Sequence, residues 1–186
     1  MKTKRIIALL LLLVMLFTLA ACGGRKPSVV GLWEAEVDMR DQMVEQMDAS
    51  VGGSKSFGEY LDSFVWELTL ELRDDGSYTL SCNIDRDIAN FKSAVVAYMR
   101  DMINEQVGSE VSDDLIATAL GMPLEDYAQT VVDAMTSAAE TEAGKYQDKG
   151  GALIWGNGEK SPYELTEDTL SFSVETLGQL DFTRIG

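Results

Sequence analysis

Two periodicities alternate along the chain. In GLWEAEVD, Trp33, Ala35 and Val37 fall on one side, with Glu34, Glu36 and Asp38 on the other. FVWELTLELR repeats the pattern, setting Trp66, Leu68, Leu70 and Leu72 against Glu67, Thr69, Glu71 and Arg73. Successive side chains of a strand point to opposite faces, so this alternation predicts half-buried strands. DDGS at 74–77 reads as a tight turn feeding Tyr78, Leu80 and Cys82 in phase. Strand signals resume with Tyr146, then Leu153 and Trp155, Tyr163 and Leu165, Leu170, Phe172 and Val174, and Leu180 and Phe182. Turns are expected at Gly150-Gly151, around Gly156 to Pro162, at Glu167-Asp168 and at Gly178. Eight strands result, the last five closely spaced, as in an antiparallel meander. Their second faces are polar, so a flat sheet would leave one apolar face uncovered and two edges open. Closing the sheet on itself solves both problems. The pattern therefore predicts a mainly β fold with α insertions, an eight-stranded antiparallel barrel.

Two stretches interrupt the strands at helical spacing. Residues 39–62 form a short insertion in which Met39, Met43 and Met47 recur four apart. Residues 85–143 form a longer insertion, or lid, between strands 3 and 4. Its first helix is expected over 86–107 on Ile88, Phe91, Val95, Tyr98, Met99 and Met102. Ser112 has the character of an N-cap before DDLIATAL, and Pro123 suits the start of a third helix carrying Leu124, Tyr127, Ala128, Val131, Val132 and Met135. Connections of an up-and-down barrel alternate between its ends. Insertions after strands 1 and 3 therefore emerge together, opposite the end where the chain enters strand 1. The polar barrel exterior offers the helices no seat, so they are expected to pack on each other and over the mouth.

The N-terminus has its own pattern. Lys2, Lys4 and Arg5 precede an uncharged apolar run from Ile6 to Leu19, which is the layout of a secretory signal and shorter than the ~20 residues of a membrane-spanning helix. The run ends on Leu19, Ala20, Ala21 and Cys22, which resemble the lipobox of bacterial lipoproteins. That resemblance implies that Cys22 receives a diacylglycerol, that residues 1–21 are removed, and that residues 22–30 tether the protein to a membrane. It implies palmitate-type acylation at the extracytoplasmic face of the cell membrane, or at the outer membrane if the source has two. Multiple acyl chains suffice for stable anchoring. With Cys22 so used, Cys82 is the single free thiol, and its phase with Tyr78 and Leu80 predicts a buried small hydrophobe.

A second resemblance lies in the barrel region. Gly31-Leu32-Trp33 at the start of the first strand resembles the Gly-x-Trp signature of the lipocalin and calycin barrels. Those folds keep a late arginine packed across that tryptophan, and Arg184 in DFTRI stands at the corresponding place. The strand and turn from Phe64 to Tyr78 also resemble lipocalin-like domains of bacterial lipoproteins. The likeness covers 31–84 and 144–185. It implies that residues 31–185 form one lipocalin-like barrel and that Trp33 and Arg184 close its end, a structural role.

Charge and missing residue types narrow the function. The formal net charge is −16 and becomes −19 once Lys2, Lys4 and Arg5 are removed. Such a body repels nucleic acid and offers no basic patch to counter this. The chain has no histidine, which removes His-activated nucleophiles and the commonest transition-metal ligand. GNGEKSP lacks phosphate-loop spacing, and the Asp85/Asp87 and Asp113/Asp114 pairs show no apolar setting that would separate their pKa values. No cofactor is implied, and a carboxylate calcium site is the only metal chemistry left open. The expected function is non-catalytic: a membrane-anchored binding module for a small apolar ligand or envelope component. The alternative is a protein–protein interaction module that docks through its helical insertion, with the barrel as scaffold. Trp66, Tyr78, Trp155, Met43 and Met47 are the candidate ligand contacts, although the many aromatic residues predict a largely filled interior with a shallow pocket near the lid.

Overall fold

The computed structural model describes residues 27–51, 54–138, 141–175 and 177–186. The expected signal segment and Cys22 lie outside them. Eight antiparallel strands close into a barrel in sequence order: β1 (Gly31–Asp38), β2 (Val65–Leu72), β3 (Ser77–Asn83), β4 (Glu142–Asp148), β5 (Ala152–Trp155), β6 (Lys160–Leu165), β7 (Thr169–Val174) and β8 (Gly178–Arg184). Every neighbouring pair is antiparallel, and β1 closes on β8 with Trp33 opposite Arg184 and Glu34 opposite Thr183. The alternation seen in the sequence sets the register. Trp33 pairs with Leu70 and Ala35 with Leu68, so one apolar face turns inward along the whole ladder.

The turns follow local chemistry. Arg73 and Gly76 close the β2–β3 hairpin, and the Asp75 carboxylate accepts the backbone N–H of Ser77 at 2.8 Å. The Ser77 hydroxyl donates to the same carboxylate, and this bond together with the backbone one holds the Asp75 carboxyl below the usual carboxylate range. The β5–β6 turn is shorter than its glycines and proline suggest. Hydrogen bonds from Trp155 N to Glu159 O and from Gly158 N to Trp155 O close it before Pro162, which therefore lies within β6.

Four α-helices lie among the described residues: α1 (Arg40–Val51), α2 (Asp85–Val107), α3 (Asp113–Leu120) and α4 (Leu124–Ala138). Helix α1 covers only the first half of the 39–62 segment. Beyond it, one 3₁₀ turn at Phe57–Glu59 is fixed by the Asp48 carboxylate, which accepts Phe57 N at 2.6 Å and Ser56 Oγ at 2.7 Å. The α1 segment, α2 and α4 share one apolar core, in which Phe57, Leu61, Phe64, Phe91, Val95 and Tyr98 are 0–1 % exposed. Phe57 meets Phe91 and Tyr98 edge-on at 5.7 and 5.3 Å. This helical core and the barrel core are separate clusters, and Val37, Trp66, Cys82 and Leu177 pack against both. The helices therefore stand over the barrel end that holds the β1–β2, β3–β4, β5–β6 and β7–β8 connections.

A candidate ligand cavity in the barrel

The two ends of the barrel are built differently. At the end where the chain enters, Trp33, Leu72, Leu153 and Leu170 are 0–1 % exposed and fill the interior together with Tyr146. Trp33 Nε1 donates to Val29 O at 2.8 Å, and the Arg184 guanidinium lies 4.0 Å from the Trp33 ring centroid. That guanidinium also donates to the carbonyls of Val30, Ser28 and Glu167. Gly31 makes the seat for it, since a Cβ there would collide with Arg184 Nη1. One cation thus covers an aromatic face and ties three carbonyls of two chain segments, a fork geometry that suits arginine and not lysine.

The opposite half is hollow. A cavity of about 380 Å³ lies in this half, walled by Trp66, Leu68, Leu70, Leu80, Cys82, Phe172, Leu180 and Phe182 and by Tyr78 and Trp155. Its mouth carries Glu142 at the start of β4, Asn157 and Glu159 in the β5–β6 turn, and Leu177 in the β7–β8 turn. The aromatic rings form a continuous wall. Tyr78 meets Trp155 at 4.9 Å, Trp155 meets Phe172 at 5.9 Å, and Phe172 stacks on Phe182 at 5.4 Å. A volume near 400 Å³ lies within the range of small-molecule pockets, and eight-stranded barrels have room for one such ligand.

Tyr78 enters this half from the base of β3. Its ring crosses Gly144, where a Cβ would sit 2.8 Å from Cε1, and its hydroxyl donates to the Glu142 carboxylate. Burial, then the bond to Glu142, pushes the Tyr78 hydroxyl up to about 12, so it stays a neutral donor. Trp155 Nε1 donates to Ser161 Oγ at 2.8 Å. The Trp66 indole N–H is buried without an acceptor among the described residues. Burial raises the Cys82 thiol, which is half-buried at the cavity wall.

Of the residues singled out in the sequence, Trp66, Tyr78 and Trp155 meet in this cavity, while Trp33 and Arg184 meet at the filled end. Met43 and Met47 are elsewhere. They face the helical core, where Met43 is 9 % exposed, and neither lines the cavity. A stripe on a short helix is satisfied by the nearest helices before it reaches the barrel mouth. Glu142, Asn157 and Glu159 carried no signal in the sequence. They are ordinary polar positions beside turns, and only the closed register gathers them. The Asp85/Asp87 pair is structural, since the Asp87 carboxylate accepts Val65 N at 2.9 Å and fixes the start of β2. Among the described residues no group of three or more acidic or cysteine side chains could hold a metal ion. No family model, curated protein or solved structure matches the chain.

Proposed function

We propose that this protein is a lipid-anchored, extracytoplasmic lipoprotein whose lipocalin-like barrel binds a small, largely apolar ligand without catalysis. The observation that supports this most is the hollow, aromatic-walled half of the barrel. The lipobox-like LAAC and the preceding apolar run support the anchor, and the Trp33–Arg184 closure supports the lipocalin likeness. In this reading the filled end faces the membrane through the 22–30 tether, and the helical insertion between β3 and β4 faces away. The test is to purify the protein from its native membrane and identify small molecules carried with it by native mass spectrometry. A stoichiometric ligand that is lost in Leu80→Trp, which fills the cavity from its wall, is the expected result. Wild type and Leu80→Trp carrying the same molecules, or none, would contradict it.

A second reading has its own observation. Val107, Leu115 and Met122, at the outer tip of the helical insertion, are 60 %, 63 % and 38 % exposed. They would suit an interaction module docking on another envelope protein. Val107→Glu with Leu115→Glu should then abolish crosslinks to such a protein while leaving the fold intact. Unchanged crosslinking would remove this reading.

A further inference from the structure

The cavity combines an apolar body with a mouth of one charge sign. Glu142 and Glu159 both line it, and no lysine or arginine does among the described residues. Among the described residues neither carboxylate is neutralised by an ion pair. Their partners are neutral donors: the Tyr78 hydroxyl for Glu142 and the Asn157 amide, at 3.3 Å, for Glu159. Lys160 follows Glu159 directly but is exposed and points away, since Ser161 and Tyr163 hold the inward positions of β6. Just inside the carboxylates stand the Tyr78 and Trp155 rings, packed edge to face. Aromatic faces attract cations and repel anions, and the attraction grows as the site is desolvated. A carboxylate ligand would meet two like charges and a negative aromatic face. A neutral ligand would fill the cavity and leave both charges unused.

We infer that the ligand of this cavity is an organic ammonium ion, its apolar body against Leu68, Leu80, Phe172 and Phe182 and its charged nitrogen between Glu142, Glu159 and the Trp155 ring. This rests on the ligand-binding reading above and adds the charge of the ligand to it. Tyr78 is a positioning residue: its hydroxyl holds Glu142 at the rim, and Gly144 leaves the space for its ring to do so.

Three probes of one shape test the inference: 4-phenylbutylamine, 4-phenylbutanol and 4-phenylbutyrate. Binding is read by tryptophan fluorescence of the full chain in phosphatidylcholine vesicles, with partition into protein-free vesicles subtracted. Trp66 and Trp155 line the cavity and Trp33 does not, so the signal reports the cavity. The amine should bind about five- to tenfold tighter than the alcohol, and the butyrate weakest. That preference should shrink with rising salt, which screens charge and leaves apolar burial in place. Glu142→Gln with Glu159→Gln should abolish the preference, so that amine and alcohol bind the variant equally. Glu34→Gln with Glu164→Gln makes the same change of charge on the barrel exterior and should leave the amine preference intact. Equal binding of amine and alcohol would overturn the charge assignment and keep the ligand-binding reading. An amine preference lost equally in the exterior pair would also overturn it, because the field of the whole acidic protein would then be responsible. Binding of no probe would overturn both.

Discussion

The barrel and the helical layer solve the same packing problem with opposite outcomes. The helical core is filled: Phe57, Phe64, Phe91 and Tyr98 interlock at 5.1–5.7 Å, and all are nearly fully buried. The barrel is filled at one end and hollow at the other. The difference is mechanical. Helices joined by loops slide and tilt until their side chains touch, so a void between them closes at little cost. The spacing of barrel walls is set by strand number and stagger, not by what lies inside. A barrel whose inward side chains lie against the wall at one level, as Tyr78, Trp155, Phe172 and Phe182 do here, therefore keeps the space. Closure by hydrogen bonds is what allows a cavity to persist beside a core packed to ordinary protein density.

The sharpest way to break this comparison is to remove the same kind of side chain from each region. Phe91→Ala should cost about 3–5 kcal/mol in denaturant unfolding, because the ring is enclosed by Phe57, Phe64 and their neighbours. Phe182→Ala enlarges a space that already exists, so its cost should sit near the bottom of that range, about 3 kcal/mol. Equal losses would mean that the barrel is packed as tightly as the helices. Next comes the filled end. Arg184→Lys keeps the charge but loses the fork that ties Ser28, Val30 and Glu167, and should cost about 1–2 kcal/mol. A loss as small as that of a surface lysine swap would show that this closure is ornamental.

Adding volume should separate the regions in sign. Leu80→Phe places new atoms in the cavity and should be neutral or stabilise by up to about 1 kcal/mol, whereas Val95→Phe in the full helical core should cost about 1–3 kcal/mol. The smallest effect concerns pH. Asp101 accepts Lys55 Nζ and Tyr60 Oη, both at 2.7 Å, and these bonds hold its carboxyl below the ordinary range. A carboxyl depressed in the folded state contributes stability above its unfolded value of about 4 and loses it as pH falls through the folded value. The stability difference between wild type and Asp101→Asn should therefore be largest at neutral pH and vanish in acid. Because the pair is exposed, the difference should be small, and a constant offset across pH would remove the assigned role of the bonds.

The sequence was informative where one periodicity decides one face. Trp66, Leu68, Leu70 and Leu72 alternate with polar residues, so their inward face follows from the chain alone. Height along the barrel axis does not follow. Eight large aromatic side chains suggest a filled interior, yet Trp33 and Tyr146 lie at the closed end while Trp155 and Phe172 line one wall of the hollow. That segregation depends on stagger between strands, which no local pattern encodes. The methionine spacing showed that α1 has a buried face but not which neighbour buries it. The loop after α1 was obscured for a different reason. The Asp48 carboxylate satisfies backbone and side-chain donors nine and eight residues on, and so replaces a second helical turn with a fixed irregular segment.

Xenon bound under pressure reports dry apolar space directly. In a xenon-derivatised crystal, the barrel should show xenon between Leu68, Leu80, Phe172 and Phe182, with none among Phe57, Phe91 and Tyr98. A barrel without xenon, or a helical core that takes it up equally, would contradict the division into a hollow barrel and a filled helical layer.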